Sequence, residues 1–240
     1  MVHNLDLSFL IPVRVDSNQR IRNLNSVIRF LLTNFNAEIF IGEESIRREI
    51  DIVFEHENIN YIFYKSNNDY FHRTKLINNL CKKTNKEVIS VYDSDVILPV
   101  EQYLIAYNKI IQNELDIVIP YNGTVFDVPD DEVKHLINTP ENPDSIKLIN
   151  INKCKKRRHN SVGGAPFFNR QIFLDGGMMN ENFKAWGAED DEFICRFSKL
   201  GYRIDNIKGI LYHMEHPRTK NSSISSSYYK NNISELRKIR

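Results

Sequence analysis

Long apolar runs are missing from this chain. No stretch reaches the roughly 18–20 uninterrupted apolar residues of a membrane span, and Met1 to Phe9 carries neither the basic start nor the apolar centre of a signal peptide. Cysteine is scarce: Cys81, Cys154 and Cys195 have no paired spacing, which excludes a zinc-type cysteine cluster and fits a reducing compartment better than a disulfide framework. Charge of one sign is lacking too. A net charge of +1 argues against electrostatic wrapping of nucleic acid, and the basic cluster Lys153, Lys155, Lys156, Arg157, Arg158 is local. The expectation is a soluble, cytoplasmic protein with no nucleic-acid partner. The polar, basic, serine-rich stretch Lys220 to Arg240 leaves peripheral attachment at the inner face of a membrane open, although a frayed tail has the same composition.

What is present is ordinary globular material. With 240 residues, 41% hydrophobic and 26% charged, the chain is long enough to bury about 70–75% of its unfolded surface in one large domain. Leu7 to Val13 is a near-continuous apolar run, the pattern of a buried parallel strand. Asn18 to Leu32 follows with a helical stripe of Ile21, Leu24, Val27, Ile28, Leu31 and Leu32. Further strands are predicted at Ala37 to Ile41, Ile50 to Phe54, Asn60 to Tyr64, Glu87 to Tyr92, Asp116 to Tyr121 and Arg203 to Tyr212. Helices are predicted at Asn68 to Lys83, Pro99 to Gln112 and Glu189 to Leu200, the last closed by Gly201. This alternation means a doubly wound α/β sheet with ligands at the C-terminal ends of its strands. Asp127 to Arg158, with three prolines and blocks of both charges, breaks the pattern and reads as an excursion or lid-bearing loop.

Three constellations carry chemistry. Asn182 to Phe193 holds the only tryptophan, Trp186, beside Gly187-Ala188 and then the four acids Glu189 to Glu192. Acids in a first helical turn complement the macrodipole, but four in a row repel one another. A tryptophan platform beside carboxylates also suits a sugar, whose apolar face stacks and whose hydroxyls donate. Asp93-Ser94-Asp95 ends a buried strand; two carboxylates at this spacing serve either a structural turn or a hard divalent ion such as Mg²⁺ or Mn²⁺. His213-Met214-Glu215-His216 offers two imidazoles at i and i+3, either surface histidines or ligands of one metal.

These residues, together with Ile11-Pro12-Val13-Arg14, Phe71-His72-Arg73-Thr74-Lys75-Leu76-Ile77-Asn78 and Gly163-Gly164, run in an order that resembles the GT-A glycosyltransferases. The likeness is to family 2 enzymes related to the β-1,4-galactosyltransferases and the chondroitin-polymerase type. It implies a single GT-A, Rossmann-like domain over residues 1–221 with a mainly parallel central sheet. Residues 1–100 would be the nucleotide-binding half and 101–221 the acceptor-binding half, followed by a polar basic tail at 222–240. It implies a metal-dependent inverting transfer of galactose or N-acetylgalactosamine from a UDP-sugar donor to a glycan hydroxyl acceptor. By the resemblance Pro12, Arg14, Phe71, Arg73 and Asp93 would hold the uridine diphosphate, with Asp16 and Glu44 approaching it. Asp95, His213 and His216 would hold Mn²⁺ or Mg²⁺. Gly164, Trp186, Gly187, Glu189 and Asp191 would meet the sugars, and Asp190 would be the general base.

The chain departs from the resemblance at three places. His213 stands where the galactosyltransferases carry methionine, Asp16 replaces an arginine, and Ala188 replaces a glycine, which stiffens the loop. The Trp186 loop and the 127–158 excursion are candidate lids. Other classes compete. A sugar-phosphate nucleotidyltransferase wants a glycine-rich loop after strand one, and Arg14-Val15-Asp16-Ser17-Asn18 has no glycine. A metal-dependent nucleotide-sugar hydrolase would use the same histidines and Asp93 and Asp95, and a non-catalytic sugar-binding module would not need Asp190.

Overall fold

The computed structural model describes residues 2–50, 56–138, 145–157 and 160–239. The chain begins with β1 (His3–Val13), α1 (Asn18–Asn34), β2 (Phe35–Ser45), β3 (Ile59–Lys65), α2 (Arg73–Cys81) and β4 (Val88–Val91). It continues through β5 (Val96–Ile97), α3 (Val100–Ile111), β6 (Ile117–Ile119), β7 (Val125–Val128), α4 (Asp130–Asn138), β8 (Lys155–Lys156), β9 (Phe167–Asn169) and α5 (Arg170–Asp175). The last elements are α6 (Glu189–Lys199), β10 (Ile204–Asn206), β11 (Leu211–Met214) and α7 (Tyr229–Ile239).

A seven-stranded sheet runs in the order β10-β6-β9-β4-β1-β2-β3. Strands β3, β2, β1 and β4 are mutually parallel, and β9 alone inserts antiparallel between β4 and β6. The expected mainly parallel α/β sheet is therefore present. Its strands alternate between two buried faces, as covered parallel sheets require. Phe9, Val88, Val118 and Phe167 point into a core with Leu24, Leu31, Phe35 and Tyr103. Leu10, Ile89, Ile117 and Phe168 point into the opposite core with Ile77, Phe173, Phe193 and Phe197.

A second sheet, β5-β11-β7-β8, stands at the C-terminal end of β4. Here the structure corrects several expectations. Arg203 to Tyr212 is not one strand: β10 joins the large sheet and β11 the small one, with a turn between them at Gly209 (φ +123). Asp127 to Arg158 is not simply a loop, since β7 pairs in parallel with β11 and α4 follows it, while Arg158 itself lies outside the described residues. The second helix starts only at Arg73. The carbonyls of Asn68 and Tyr70 accept from the Arg14 guanidinium instead of entering a helix. The predicted strand Ile50 to Phe54 falls, apart from Ile50, outside the described residues. The polar C-terminal stretch contains α7, packed against α6. Cys81, Cys154 and Cys195 are unpaired. Among the described residues no helix is long and apolar enough to cross a membrane.

The turn after β4 is fixed by a buried relay of hydroxyls. Leu98 N–H donates to Tyr103 Oη (3.1 Å), Tyr103 lies 2.5 Å from Tyr92 Oη, and Tyr92 donates to the Val96 carbonyl (2.8 Å). With one proton on each hydroxyl, only Tyr103 donating to Tyr92 satisfies the set. Both tyrosines are fully buried, and the relay brackets Asp93-Ser94-Asp95. Tyr103→Phe leaves the Leu98 N–H without its acceptor, and we expect a loss of about 1–3 kcal/mol in urea unfolding at unchanged m value. Wild-type stability in that variant would remove the relay from the account.

Candidate active site

Strand register builds one cluster. In β11, His213 lies opposite Val96 of β5 and opposite Asp127 of β7. That pairing sets Asp95 beside His213 on one side and Asp127 on the other. The Met214 N–H then donates to the Asp95 carbonyl (2.8 Å), locking the two strand ends together. Ligand atoms of Asp95, His213 and His216 all lie within 4.8 Å of one another. His213 Nε2 is 3.6 Å from Asp95 Oδ1 and His216 Nε2 is 3.2 Å from Asp95 Oδ2.

The outer ring nitrogens show that this donor set fits a divalent cation. His213 Nδ1 is 2.9 Å from Asp127 Oδ1, and His216 Nδ1 is 2.8 Å from the Pro217 carbonyl. His213 Nδ1 also meets the Arg157 guanidinium (2.9 Å); with a cation bound and both rings donating through Nδ1, the two Nε2 atoms beside Asp95 would be the ligating atoms. Oriented imidazoles with a carboxylate or carbonyl behind them are the usual setting of metal-bound histidine. One carboxylate and two imidazoles suit Mn²⁺, Zn²⁺ or Fe²⁺. Burial opposes the charge on Asp95, yet His213, His216 and Arg20 hold its carboxyl well below the usual range. Asp127 is half-buried; burial opposes its charge too, and bonds from His213 and Arg157 hold its carboxyl down in the same way.

A second cluster forms around Arg73, the first residue of α2. Its guanidinium donates to Asp93 Oδ1 (2.7 Å) and Asp190 Oδ1 (3.2 Å) and stands 3.8 Å from Glu189 Oε1. Asp93 is set by its own N–H, which donates to the Gly164 carbonyl (2.8 Å). Glu189 and Asp190 open α6, whose N-cap Ala188 is left-handed (φ 69) and offers no side-chain cap. Glu189 Oε2 accepts from Gly187 N–H (2.9 Å) instead. Burial, then the Asp190 charge, pushes the Glu189 carboxyl up to about 7 against the pull of Arg73. Burial also raises Asp190, with Arg73 opposing and Asp93 and Asp191 adding. Asp190 Oδ2 occupies the space of a side chain at Gly163: a Cβ there would fall 2.0 Å from it.

The two clusters wall one cleft. Pro12, Arg14, Asp16, Phe71, Arg73, Asp93, Asp95, Trp186, Glu189, Asp190, His213 and His216 all line it. An adjoining pocket is lined by Gly164, Gly187 and Asp191 and shares Asp93, Trp186, Glu189, Asp190 and His213 with it. Glu44 is not in either wall. Its Oε2 accepts from His72 N–H (3.2 Å), and its Oε1 is buried without a hydrogen-bond partner. Arg14 reaches the cleft with its guanidinium bound to the Tyr70 and Asn68 carbonyls. Asp16 accepts from Arg20 (3.0 Å) and from Thr219 Oγ1 (2.7 Å). Phe71 is fixed by its N–H donating to Asn221 Oδ1 (2.9 Å).

Several members were not singled out from the sequence. Arg20 bridges Asp16 and Asp95; its spacing from Asp16 is helical, so a pairing was foreseeable there. Asp127 and Arg157 had no such signal, because the β7–β11 and β7–β8 pairings bring them to His213. Of the basic cluster, Lys153 pairs with Asp131 and Glu132, while Lys155 and Lys156 are exposed.

The sheet and this cleft define a class: the fold is that of the GT-A glycosyltransferase catalytic domains. The chain superposes on a mutant of Drosophila β1,4-galactosyltransferase 7 solved with manganese, UDP-Gal and xylobiose. The TM-score is 0.59 at 17% identity, covering 98% of this chain and 79% of that one. Residues 147–218 match the family model described as the N-terminal domain of galactosyltransferase. The chain is 23% identical to chondroitin synthase of Escherichia coli over 225 residues, 80% of this chain and 32% of that protein. It is 24% identical over 254 residues to chondroitin synthase of Pasteurella multocida, 92% of this chain and 26% of that protein. The chain thus spans only about a quarter to a third of these relatives. By these likenesses the chain has the GT-A fold and is similar over residues 147–218 to galactosyltransferases.

Two measurements probe the clusters. Asp127→Ala should weaken Mn²⁺ binding about 10–100-fold in a calorimetric titration, because His213 loses the group that orients it; unchanged affinity would dissociate Asp127 from the cation site. Glu189 binds a proton more tightly when folded than when unfolded, so its contribution to stability is fully present below the unfolded value of about 4.3 and falls as pH rises toward about 7. Glu189→Gln keeps an acceptor for Gly187 N–H and should flatten that decline in denaturant titrations between those pH values. A profile parallel to wild type would contradict the assignment.

Proposed function

We propose that the chain is a metal-dependent inverting glycosyltransferase that moves galactose or N-acetylgalactosamine from a UDP-sugar to a glycan hydroxyl. One observation carries the reading: Asp95, His213 and His216 line the same cleft as Trp186, Glu189 and Asp190. The manganese, UDP-Gal and xylobiose named for the Drosophila enzyme support the same division of labour.

Asp95, His213 and His216 would hold Mn²⁺ or Mg²⁺, which when bound supplies neutralisation of the leaving diphosphate. Pro12, Arg14, Asp16 and Phe71 form the nucleotide side of the cleft, and Arg73 keeps Asp93 turned toward the ribose. Glu44 lies behind the Phe71–His72 peptide, outside the lining of the cleft, and accepts from His72 N–H, so its part is to hold that backbone. In this division residues 1–100 form the nucleotide half, and residues 101–221 contribute the acceptor wall together with His213 and His216.

Trp186 offers a ring face to the sugar, and Glu189 and Asp191 accept from its hydroxyls. Asp190 takes the proton of the attacking acceptor hydroxyl. One of its oxygens is bound to Arg73; the other, Oδ2, lies against Gly163 at the wall of the acceptor pocket and is the oxygen available to the proton. The acceptor oxygen bonds to the anomeric carbon while the bond from that carbon to the diphosphate breaks, and attack from the opposite face inverts the centre. The raised affinity of Asp190 for a proton suits this role, because a base works best with a pKa near the operating pH.

Asp190→Asn preserves shape and the contact with Arg73 and should lower transfer about 10²–10⁴-fold while UDP affinity in the presence of Mn²⁺ stays within twofold. Turnover at the wild-type rate would remove Asp190 as the base.

A further inference from the structure

The C-terminal helix is built into the acceptor loop. Asn232 of α7 is 1% exposed. Its Oδ1 accepts from Lys184 N–H (3.3 Å), and its Nδ2 donates to the Lys184 carbonyl (2.9 Å) and the Trp186 carbonyl (3.3 Å). Three bonds to one short loop nearly exhaust the capacity of this buried amide. One turn earlier, the Tyr229 ring lies along the Trp186 indole, centroids 5.9 Å apart and planes 16° from parallel. A Cβ on Gly187 would come within 2.9 Å of the same tyrosine.

The loop needs such support. Ala185 (φ 54), Gly187 (φ 117) and Ala188 (φ 69) are all left-handed, and two of the three are not glycine. L-residues favour that region too little for the segment to select it unaided. Its support comes from two sides: Ala185 N–H donates to the Phe71 carbonyl (2.9 Å) on the nucleotide wall, and Asn232 holds the peptides on either side of Ala185. Neither Asn232 nor Tyr229 lines the cleft.

We propose that Asn232 and Tyr229 are positioning residues for the acceptor: α7 clamps the Trp186 loop in the conformation that presents Trp186 and Glu189 to a glycan. This rests on the transferase reading above. A clamp acting through the loop should separate acceptor binding from donor binding, because the cation and nucleotide residues are held by other contacts.

The test uses the full chain with Asn232→Ala, Tyr229→Ala and, as the conservative variant, Tyr229→Phe. Trp186 is the only tryptophan, so intrinsic fluorescence reports the loop directly. We expect Asn232→Ala and Tyr229→Ala to raise acceptor KM about tenfold or more, with UDP affinity in the presence of Mn²⁺ within twofold of wild type and Trp186 emission shifted to the red. Tyr229→Phe, which keeps the stack, should restore wild-type values. Folded variants with unchanged acceptor KM and unchanged emission would overturn the proposal, as would equal losses of donor and acceptor affinity. Should Asn232→Ala fail to fold, Tyr229→Ala decides alone, since it orphans no buried amide. The emission arm needs no turnover. A wild-type chain that transfers to no glycan hydroxyl would therefore overturn the transferase reading while the fluorescence still judged the clamp.

Discussion

One buried guanidinium holds the two walls of the cleft to each other. Arg73 is 9% exposed and sits at the first position of α2, where the helix macrodipole disfavours a cation. Three carboxylates from two directions compensate: Asp93 from the end of β4, and Glu189 and Asp190 from the start of α6. Removing one partner of a buried ion pair is strongly destabilising, so Arg73 is confined to this position by its own burial. Burial is the main reason Glu189 and Asp190 hold protons more tightly than ordinary surface acids; the neighbouring carboxylates add to it and Arg73 opposes it. The interaction that joins the end of β4 to the start of α6 thus also tempers the effect of burial on these two acids.

The cation cluster obeys a different constraint. Its members are connected by strand register instead of charge. Pairing of β11 with β5 and β7 places His213 between Asp95 and Asp127, residues more than eighty positions away in the sequence. Each imidazole is oriented from behind, by Asp127 or by the Pro217 carbonyl, so the ligand geometry follows from the backbone. The small sheet also buries Val96, Ile97, Val125, Val128, Leu211 and Met214 in the core it shares with the large sheet. Its function in the fold is to carry this cluster to the C-terminal end of β4, where the buried tyrosine relay fixes the turn that Asp95 occupies.

What could be read from the sequence was whatever has a local signature. The apolar run of Leu7 to Val13, the helical stripe after Ser17 and the acid block behind Trp186 each announce an element within a dozen residues, and the parallel α/β sheet follows from their alternation. The pairs Asp93 with Asp95 and His213 with His216 are visible for the same reason. Contacts that depend on tertiary register are not. Asp127 looks like one more acid in a proline-rich excursion until β7 pairs with β11, and Arg203 to Tyr212 reads as one strand until Gly209 turns it from one sheet into the other. The helix at Tyr229–Ile239 is hidden for a third reason: Lys, Asn, Ser and Glu dominate it, and what places it is the fit of Asn232 and Tyr229 to a loop over forty residues earlier.

The Trp186 loop shows how these constraints combine. Left-handed alanines at 185 and 188 each cost roughly 1–2 kcal/mol relative to right-handed backbone, so the loop keeps its shape only while its surroundings hold it. Those surroundings are the Phe71 carbonyl, the Arg73 cluster at Glu189, and α7. In this position Trp186 is held through the bond of Ala185 N–H to the Phe71 carbonyl and through the contacts of Asn232. Phe71 is itself tied through its N–H to Asn221 in the segment leading to α7. The Phe71 segment, the Trp186 loop and the C-terminal segment therefore form a closed ring of contacts. The strain of the left-handed alanines is thus borne by α7 and the Phe71 backbone, while Asp95 and His213 are held outside that ring by the pairing of β5, β7 and β11.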